Sequence, residues 1–226
     1  MKCFFPHGII TDMHPTDIES IRAEIAAAAA RMIAEDGADY ASAKRKAARL
    51  ILGDGKARGE ILPDNAQIED EVRAYNELFF ADTQPARLLH LRQLALEVMT
   101  ELAPFNPYLT GVVLNGTAGA HSDIHLQLFT SSAKDVEIFL LNKNVDFEVS
   151  ESKHFKGASN HAPVETLSFL LPQRGAAPEG VHLAVYDVDD LRGGLRAPNA
   201  KRGERAERVN IDALRRLIME ETDEKP

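Results

Sequence analysis

Asp123 and His125 stand two residues apart in Ser122-Asp123-Ile124-His125-Leu126-Gln127-Leu128-Phe129, with apolar residues between the polar ones. On a strand, residues i and i+2 project from the same face. Asp123, His125 and Gln127 therefore share one face, while Ile124, Leu126 and Leu128 share the core-facing one. Further on, Val145-Asp146-Phe147-Glu148-Val149 repeats the alternation and presents Asp146 and Glu148. Carboxylates and an imidazole on neighbouring strands are donor types that hold a divalent cation, which in turn neutralises charge on a phosphoryl group. The competing reading is a polar strand face that meets only solvent.

Ahead of Asp123 lies a turn of small residues, Gly116-Thr117-Ala118-Gly119. Backbone N–H groups and a hydroxyl in such a turn can cradle phosphate, and any tight connection between strands uses the same residues. His121 and Ser122 are placed to help. A Ser directly before an Asp also serves as a local backbone partner.

The order of these residues resembles the polymerase-beta-like nucleotidyltransferases. There a strand ends in Gly-Ser, a short connection follows, Asp-x-Asp lies on a second strand and one more Asp on a third. The turn holds the triphosphate of a nucleotide, and the carboxylates hold divalent metal. The resemblance covers residues 110–150 or so and implies a small mixed sheet of that type; with the switch of apolar period near Pro107, which sets a helical N-terminal region packed on the sheet and a C-terminal helix beside it, the expected fold is α+β. It implies Asp123 and Asp146 as catalytic carboxylates, and Asp123, His125 and Asp146 as ligands of Mg²⁺ or Mn²⁺. Gly116, Thr117, Gly119 and Ser122 would bind the nucleotide. His125 stands where the second carboxylate belongs, and the connection from Thr117 to Asp123 is shorter than the family's. Imidazole suits Mn²⁺ better than Mg²⁺, and Glu148 is a substitute ligand. The implied activity is metal-dependent transfer of a nucleotidyl group from a nucleoside triphosphate to an unidentified acceptor. Two alternatives stand beside it: a catalytically degenerate member that binds a nucleotide or a protein, and a nucleic-acid-binding regulator.

Composition bounds these readings. The 226-residue chain has a hydrophobic fraction of 44% and a charged fraction of 27%, ordinary for a globular protein able to bury a core. A net charge of -9 argues against a surface that binds nucleic acid all over. Cys3 is the single cysteine, so neither an intrachain disulfide nor a thiolate metal cluster can form. No apolar run approaches the roughly 20 residues that span a bilayer, and Phe4-Phe5 is broken by Pro6 and Gly8, unlike a signal peptide. The expectation is a cytoplasmic protein without a membrane partner.

The elements that must position the site follow from periodicity. Thr16 with Glu19 makes a capping box for a helix to about residue 35. Asp39 caps a second helix to Leu52, Pro63-Asp64-Asn65 launches a third to Phe80, and Pro85 lies near the start of a fourth, closed by Pro104 and Pro107. After Pro107 the apolar period changes from about 3.6 to 2. Strands are expected near 110–115, 123–129, 145–150, 165–171 and 181–187, with a helix over 132–141. The interval between the first two is too short for a parallel crossover, so they should pair antiparallel. Residues 191–209 read as a loop, and Asn210 caps a last helix. The resulting division is a helical region 1–105, an α/β region 106–190, and a basic loop with a C-terminal helix over 191–226.

Two basic clusters remain. Lys44, Arg45, Lys46 and Arg49 line one side of the second helix, and Arg192, Arg196, Lys201, Arg202, Arg205 and Arg208 populate the loop. Either could grip phosphate, and a solvated surface is the default for both. The first two helices also resemble the opening of helix-turn-helix regulators. The third helix carries Glu69, Asp70, Glu71 and Glu77, which DNA phosphate would repel.

Overall fold

The structure is a computed structural model and describes residues 15–53, 61–152, 154, 161–193 and 208–223. The chain divides into two compact units, residues 1–80 and 81–226. The helical residues grouped above as 1–105 are therefore shared between the units.

The first unit contains α1 (Pro15–Asp36), α2 (Tyr40–Leu52) and α3 (Asn65–Phe79). Proline suits the first turn of α1, where its missing N–H costs no helical bond. The Thr16 side chain, and with it the capping box, lies outside the described residues. Asp39 caps α2 by accepting from the Ser42 N–H at 3.0 Å, and this backbone bond holds its carboxyl below the ordinary range. Asp64 and Gln67 form a reciprocal capping box on α3, at 2.8 and 3.0 Å. Ala26, Ala29 and Ala30 of α1 are buried in one cluster with Ala43, Ala47 and Ala48 of α2 and with Ile68 and Val72 of α3. Small side chains let helix axes approach closely, so the alanine run contributes to packing as well as to helix propensity. Arg45, Lys46 and Arg49 are exposed, and Lys44 donates to Asn65.

The second unit opens with α4 (Gln84–Glu101) and a 3₁₀ turn at Ala103–Phe105. There follow β1 (Tyr108–Thr110), α5 (Gly111–Asn115), β2 (Ile124–Phe129), α6 (Ala133–Asn142), β3 (Glu148–Ser152), β4 (Val164–Leu171) and β5 (Glu179–Tyr186). The chain ends with α7 (Val188–Gly193), β6 (Arg208–Val209) and α8 (Ile211–Asp223). The strands form one mixed sheet in the order β3-β4-β5-β2-β1-β6. β1 and β2 pair antiparallel, as their short connection requires, and β2 and β5 pair parallel. The fold class is α+β.

The alternation of side chains divides the sheet. Ile124, Leu126 and Leu128 of β2, Val181 and Leu183 of β5, and Leu167 of β4 are buried with Leu88, Leu91 and Met99 of α4, Val136 and Leu140 of α6, and Leu214 of α8. Helices thus cover one face. Each fully buried aliphatic side chain stabilises this layer by about 1.5–3 kcal/mol. The other face carries the polar residues and, at one end, a smaller buried cluster of Phe129, Val164 and Tyr186 against Leu191 of α7.

Three expectations change. The strand near 110–115 ends at Thr110 and gives way to α5. Gly111, at φ +70, turns the chain out of the extended region. Arg92 of α4, nearly fully buried, then donates to the carbonyls of Val113 and Leu114, each at 2.9 Å, which a strand would have offered to its neighbour. The strand near 145–150 starts only at Glu148, because the Val145 N–H still bonds the Leu140 carbonyl at 3.0 Å to close α6. Both ends of the expected loop 191–209 belong to elements, 191–193 to α7 and 208–209 to β6, and residues 194–207 lie outside the described ones. Asn210 caps α8 as expected, accepting from Ala213 at 2.9 Å.

Candidate functional site

Cross-strand register places one polar residue from each strand in a single row. Glu148 of β3 faces Ser168 of β4, and Ser168 faces His182 of β5. His182 faces His125 of β2, His125 faces Thr110 of β1, and Thr110 faces Arg208 of β6. All project from the face opposite α4, α6 and α8; α7 covers one end of that face, where Leu191 packs on the buried Phe129, Val164 and Tyr186, and leaves the row around His125 and His182 open.

At the centre of the row the side chains touch. Ser168 Oγ lies 2.8 Å from His182 Nδ1, and His182 Nε2 lies 3.2 Å from Asp123 Oδ2. The His125 ring stacks on that of His182, with centroids 4.7 Å apart and planes 15° apart. His125 is exposed to solvent by surface area, yet many protein atoms surround its ring. This burial, and secondly the neighbouring His182, lower its pKa against the opposing pull of Asp123. Gly180, also on β5, makes room for the carboxylate: a Cβ there would stand 2.3 Å from Asp123 Oδ1.

The segment that delivers Asp123 is fastened to α4. Gln84 donates to the carbonyls of Gly116 and Ala118, at 3.1 and 2.9 Å. Arg87 bonds the carbonyls of Gly119, Ala120 and Ser122 and pairs with Glu179 at the start of β5. The Arg87 guanidinium beside Glu179 holds that carboxyl below the usual carboxylate range. Arg92, besides binding the α5 carbonyls, pairs with Glu221 of α8.

Of the residues singled out in the sequence, Asp123 and His125 are brought together on the open face. Asp146 is not with them. It is exposed in the lead-in to β3, and β4 and β5 intervene between that strand and β2. Three strand spacings amount to roughly 14 Å. Among the described residues no group of three or more His, Cys, Asp or Glu side chains is disposed to hold a metal ion. Glu148 lies on the row but at its far end, on edge strand β3.

The small-residue turn turns its bonds inward. The N–H groups of Gly116, Thr117 and Ala118 all reach the Val112 carbonyl, closing α5. Thr117 is buried and bonds Asn115 through its hydroxyl at 2.6 Å. The Gly119 N–H donates to Ser122 Oγ at 2.9 Å, the local partnership open to a Ser before an Asp. A Cβ on Gly116 would meet Arg92 and Leu88 of α4. His121 is exposed.

Sequence reasoning passed over His182, Ser168 and Gly180. The alternation Val181-His182-Leu183 carried the same signal as Ile124-His125-Leu126, a histidine between core positions. Arg208, expected in a loop, stacks its guanidinium over the rings of Phe129 and Tyr108, at 4.8 and 5.4 Å from their centroids. At that end of the open face His154 is buried, stacks on His161 and lies 3.2 Å from Asp190 of α7.

Searched against protein-family models and curated proteins, the sequence gives no match. No helix among the described residues is long and apolar enough to cross a membrane.

Proposed function

We propose that residues 81–226 form a nucleotidyltransferase-like unit whose open sheet face binds a nucleotide, without metal-dependent transfer. The observation that carries the reading is the approach to Asp123. A strand closes on a glycine, a helix-containing connection follows, and Asp123 leads into an antiparallel neighbour with His125 two residues on. With β1 ending at Thr110, the glycine at the strand end is Gly111 rather than Gly116. A Cβ on Gly111 would lie 4.0 Å from His125 Cβ, so this glycine borders the site. The connection then runs over residues 111–123, longer than the interval from Thr117 that set the sequence apart from the family.

The donor set favours binding over transfer. Transfer requires carboxylates around metal to neutralise charge developing on the phosphoryl oxygens. Here His125 replaces one carboxylate, Asp146 stands strands away, and the Asp123 carboxylate is engaged by His182. Ser168, His182, His125 and Thr110 offer hydrogen bonds to phosphate or ribose oxygens without any cation.

Thermal melts with ATP, GTP, CTP and UTP, in chelator and then with Mg²⁺ or Mn²⁺, test this. The expected result is stabilisation by a nucleotide in chelator, about 2.7 kcal/mol at 100 times Kd, unchanged by metal. Stabilisation only with metal would restore the metal-dependent transferase, and no stabilisation by any nucleotide would end the reading.

A further inference from the structure

The chain of hydrogen bonds at the centre of the open face has a fixed direction. An ionised carboxylate only accepts, so the bond to Asp123 places the proton of neutral His182 on Nε2. Nδ1 must then accept, and the Ser168 hydroxyl donates to it at 2.8 Å. This is the order nucleophile, base, orienting carboxylate that activates a serine for covalent catalysis. The ring presents Nδ1 to the serine and Nε2 to the carboxylate, and the logic of proton transfer is the same either way round.

Two further observations show the arrangement to be built. Asp123 reaches His182 only because residue 180 lacks a side chain, since a Cβ there would overlap the carboxylate. His125 caps the imidazole by stacking, with ring centroids 4.7 Å apart and planes 15° apart. The side chains of His182 and Asp123 are 31% and 46% exposed, so a small molecule can reach them from the open face.

We propose that Ser168 is a nucleophile with His182 as its base and Asp123 as its positioning carboxylate, and that this site cleaves activated carboxylic esters. Ser168 Oγ bonds to the ester carbonyl carbon while its proton passes to His182 Nδ1. The bond from that carbon to the alkoxy oxygen breaks, and the alcohol leaves with the proton from His182. Water then adds to the acyl-serine, giving its proton to His182. The carboxylic acid departs and Ser168 regains its hydrogen. General-base assistance of this kind contributes about 10²–10⁴-fold, which suits esters whose leaving group is already good. The proposal rests on the geometry around His182 and not on nucleotide binding, which can fail while the proposal stands.

The experiment treats the full chain with a fluorophosphonate probe and locates the adduct by peptide mass spectrometry, beside turnover of p-nitrophenyl acetate. The expected result is one adduct, on Ser168, lost in Ser168→Ala and unaffected by Ser150→Ala on the neighbouring strand. His182→Ala should slow labelling at least tenfold. Asp123→Asn, which can donate to Nε2 and so moves the proton to Nδ1, should do the same with an unchanged melting temperature. No adduct in the parent chain, an adduct elsewhere, or labelling of His182→Ala at the parental rate would overturn the proposal.

Discussion

Replacing Gly180 by alanine tests whether the carboxylate of Asp123 is held where the structure places it. The new Cβ would stand 2.3 Å from Asp123 Oδ1 and 2.6 Å from Cγ, so the carboxylate must swing away from His182. Overpacking costs about 1–3 kcal/mol in a closed core, but this side chain is 46% exposed and can move outward. Losing a part-exposed bond at 3.2 Å costs about 1 kcal/mol. Against this, alanine reduces the entropy of the unfolded chain and stabilises by about 0.4–1 kcal/mol. Gly180 is not among the glycines with positive φ, so the backbone adds no penalty. The net change in stability should therefore lie near zero, while the site loses its geometry.

A double-mutant cycle separates these terms. In the parent background Gly180→Ala should leave the urea midpoint nearly unchanged and reduce nucleotide affinity and Ser168 labelling. In an Asp123→Ala background there is no carboxylate to displace, and the same substitution should stabilise by about 0.4–1 kcal/mol. The coupling between the two positions would then be of order 1 kcal/mol. Equal effects in both backgrounds, or an Asp123 still bonded to His182 in a crystal of the alanine variant, would refute the reasoning.

Other outcomes follow from the same geometry. Arg92→Ala strands the Val113 and Leu114 carbonyls, while the partly exposed Glu221 is rehydrated; it should cost about 2–4 kcal/mol in chemical unfolding, mostly from the two carbonyls. His125 has a folded pKa below its unfolded one, so the unfolded state binds the proton first as pH falls. Its contribution to stability is intact above the unfolded value of about 6.5 and shrinks as pH drops toward the folded pKa. His125→Asn should accordingly flatten the stability–pH curve below about 6.5, and an unchanged slope would contradict the assigned burial. Asn76 of α3 is 4% exposed, and neither polar atom of its amide has a hydrogen-bond partner among the described residues. Asn76→Leu should raise stability by about 1 kcal/mol, read as a higher denaturant midpoint; a loss would mean that the amide is bonded in solution.

The sequence announces its helices and its core strands because capping and periodicity are local. Asp39 and Asn210 cap the helices they were expected to cap, and within the launching segment Pro63-Asp64-Asn65 it is Asp64 that caps α3, each through its own side chain and a backbone N–H three residues on. Residues 111–115 misled for a physical reason. Gly-Val-Val-Leu-Asn is apolar and β-branched, and what coils it is a guanidinium on α4 that withdraws two carbonyls from any ladder. Tertiary contact overrides strand propensity there. Glu179 and Arg87 present the same difficulty, since their pairing joins the first turn of α4 to the start of β5.

The site depends on register, and register is not written in any one segment. Asp123 and His125 are legible because one short segment, the start of β2 and the residue before it, carries both. His182 and Ser168 come from strands that meet β2 only through the order β4-β5-β2. A slip of one residue between β4 and β5 would turn Ser168 into the helix-covered core and bring Leu167 out beside His182. The burial of Leu167, Val181 and Leu183 under α4, α6 and α8 forbids that slip. The apolar face thus determines which polar groups meet on the other: it is core packing that aligns the serine hydroxyl with an imidazole nitrogen. The test of that dependence is to weaken the core beneath the row without touching it. Leu167→Ala should cost about 2–5 kcal/mol and, in the fraction that stays folded, leave Ser168 labelling dependent on His182. If labelling moved to another serine in a sample still folded by circular dichroism, the register would be set by something other than this core.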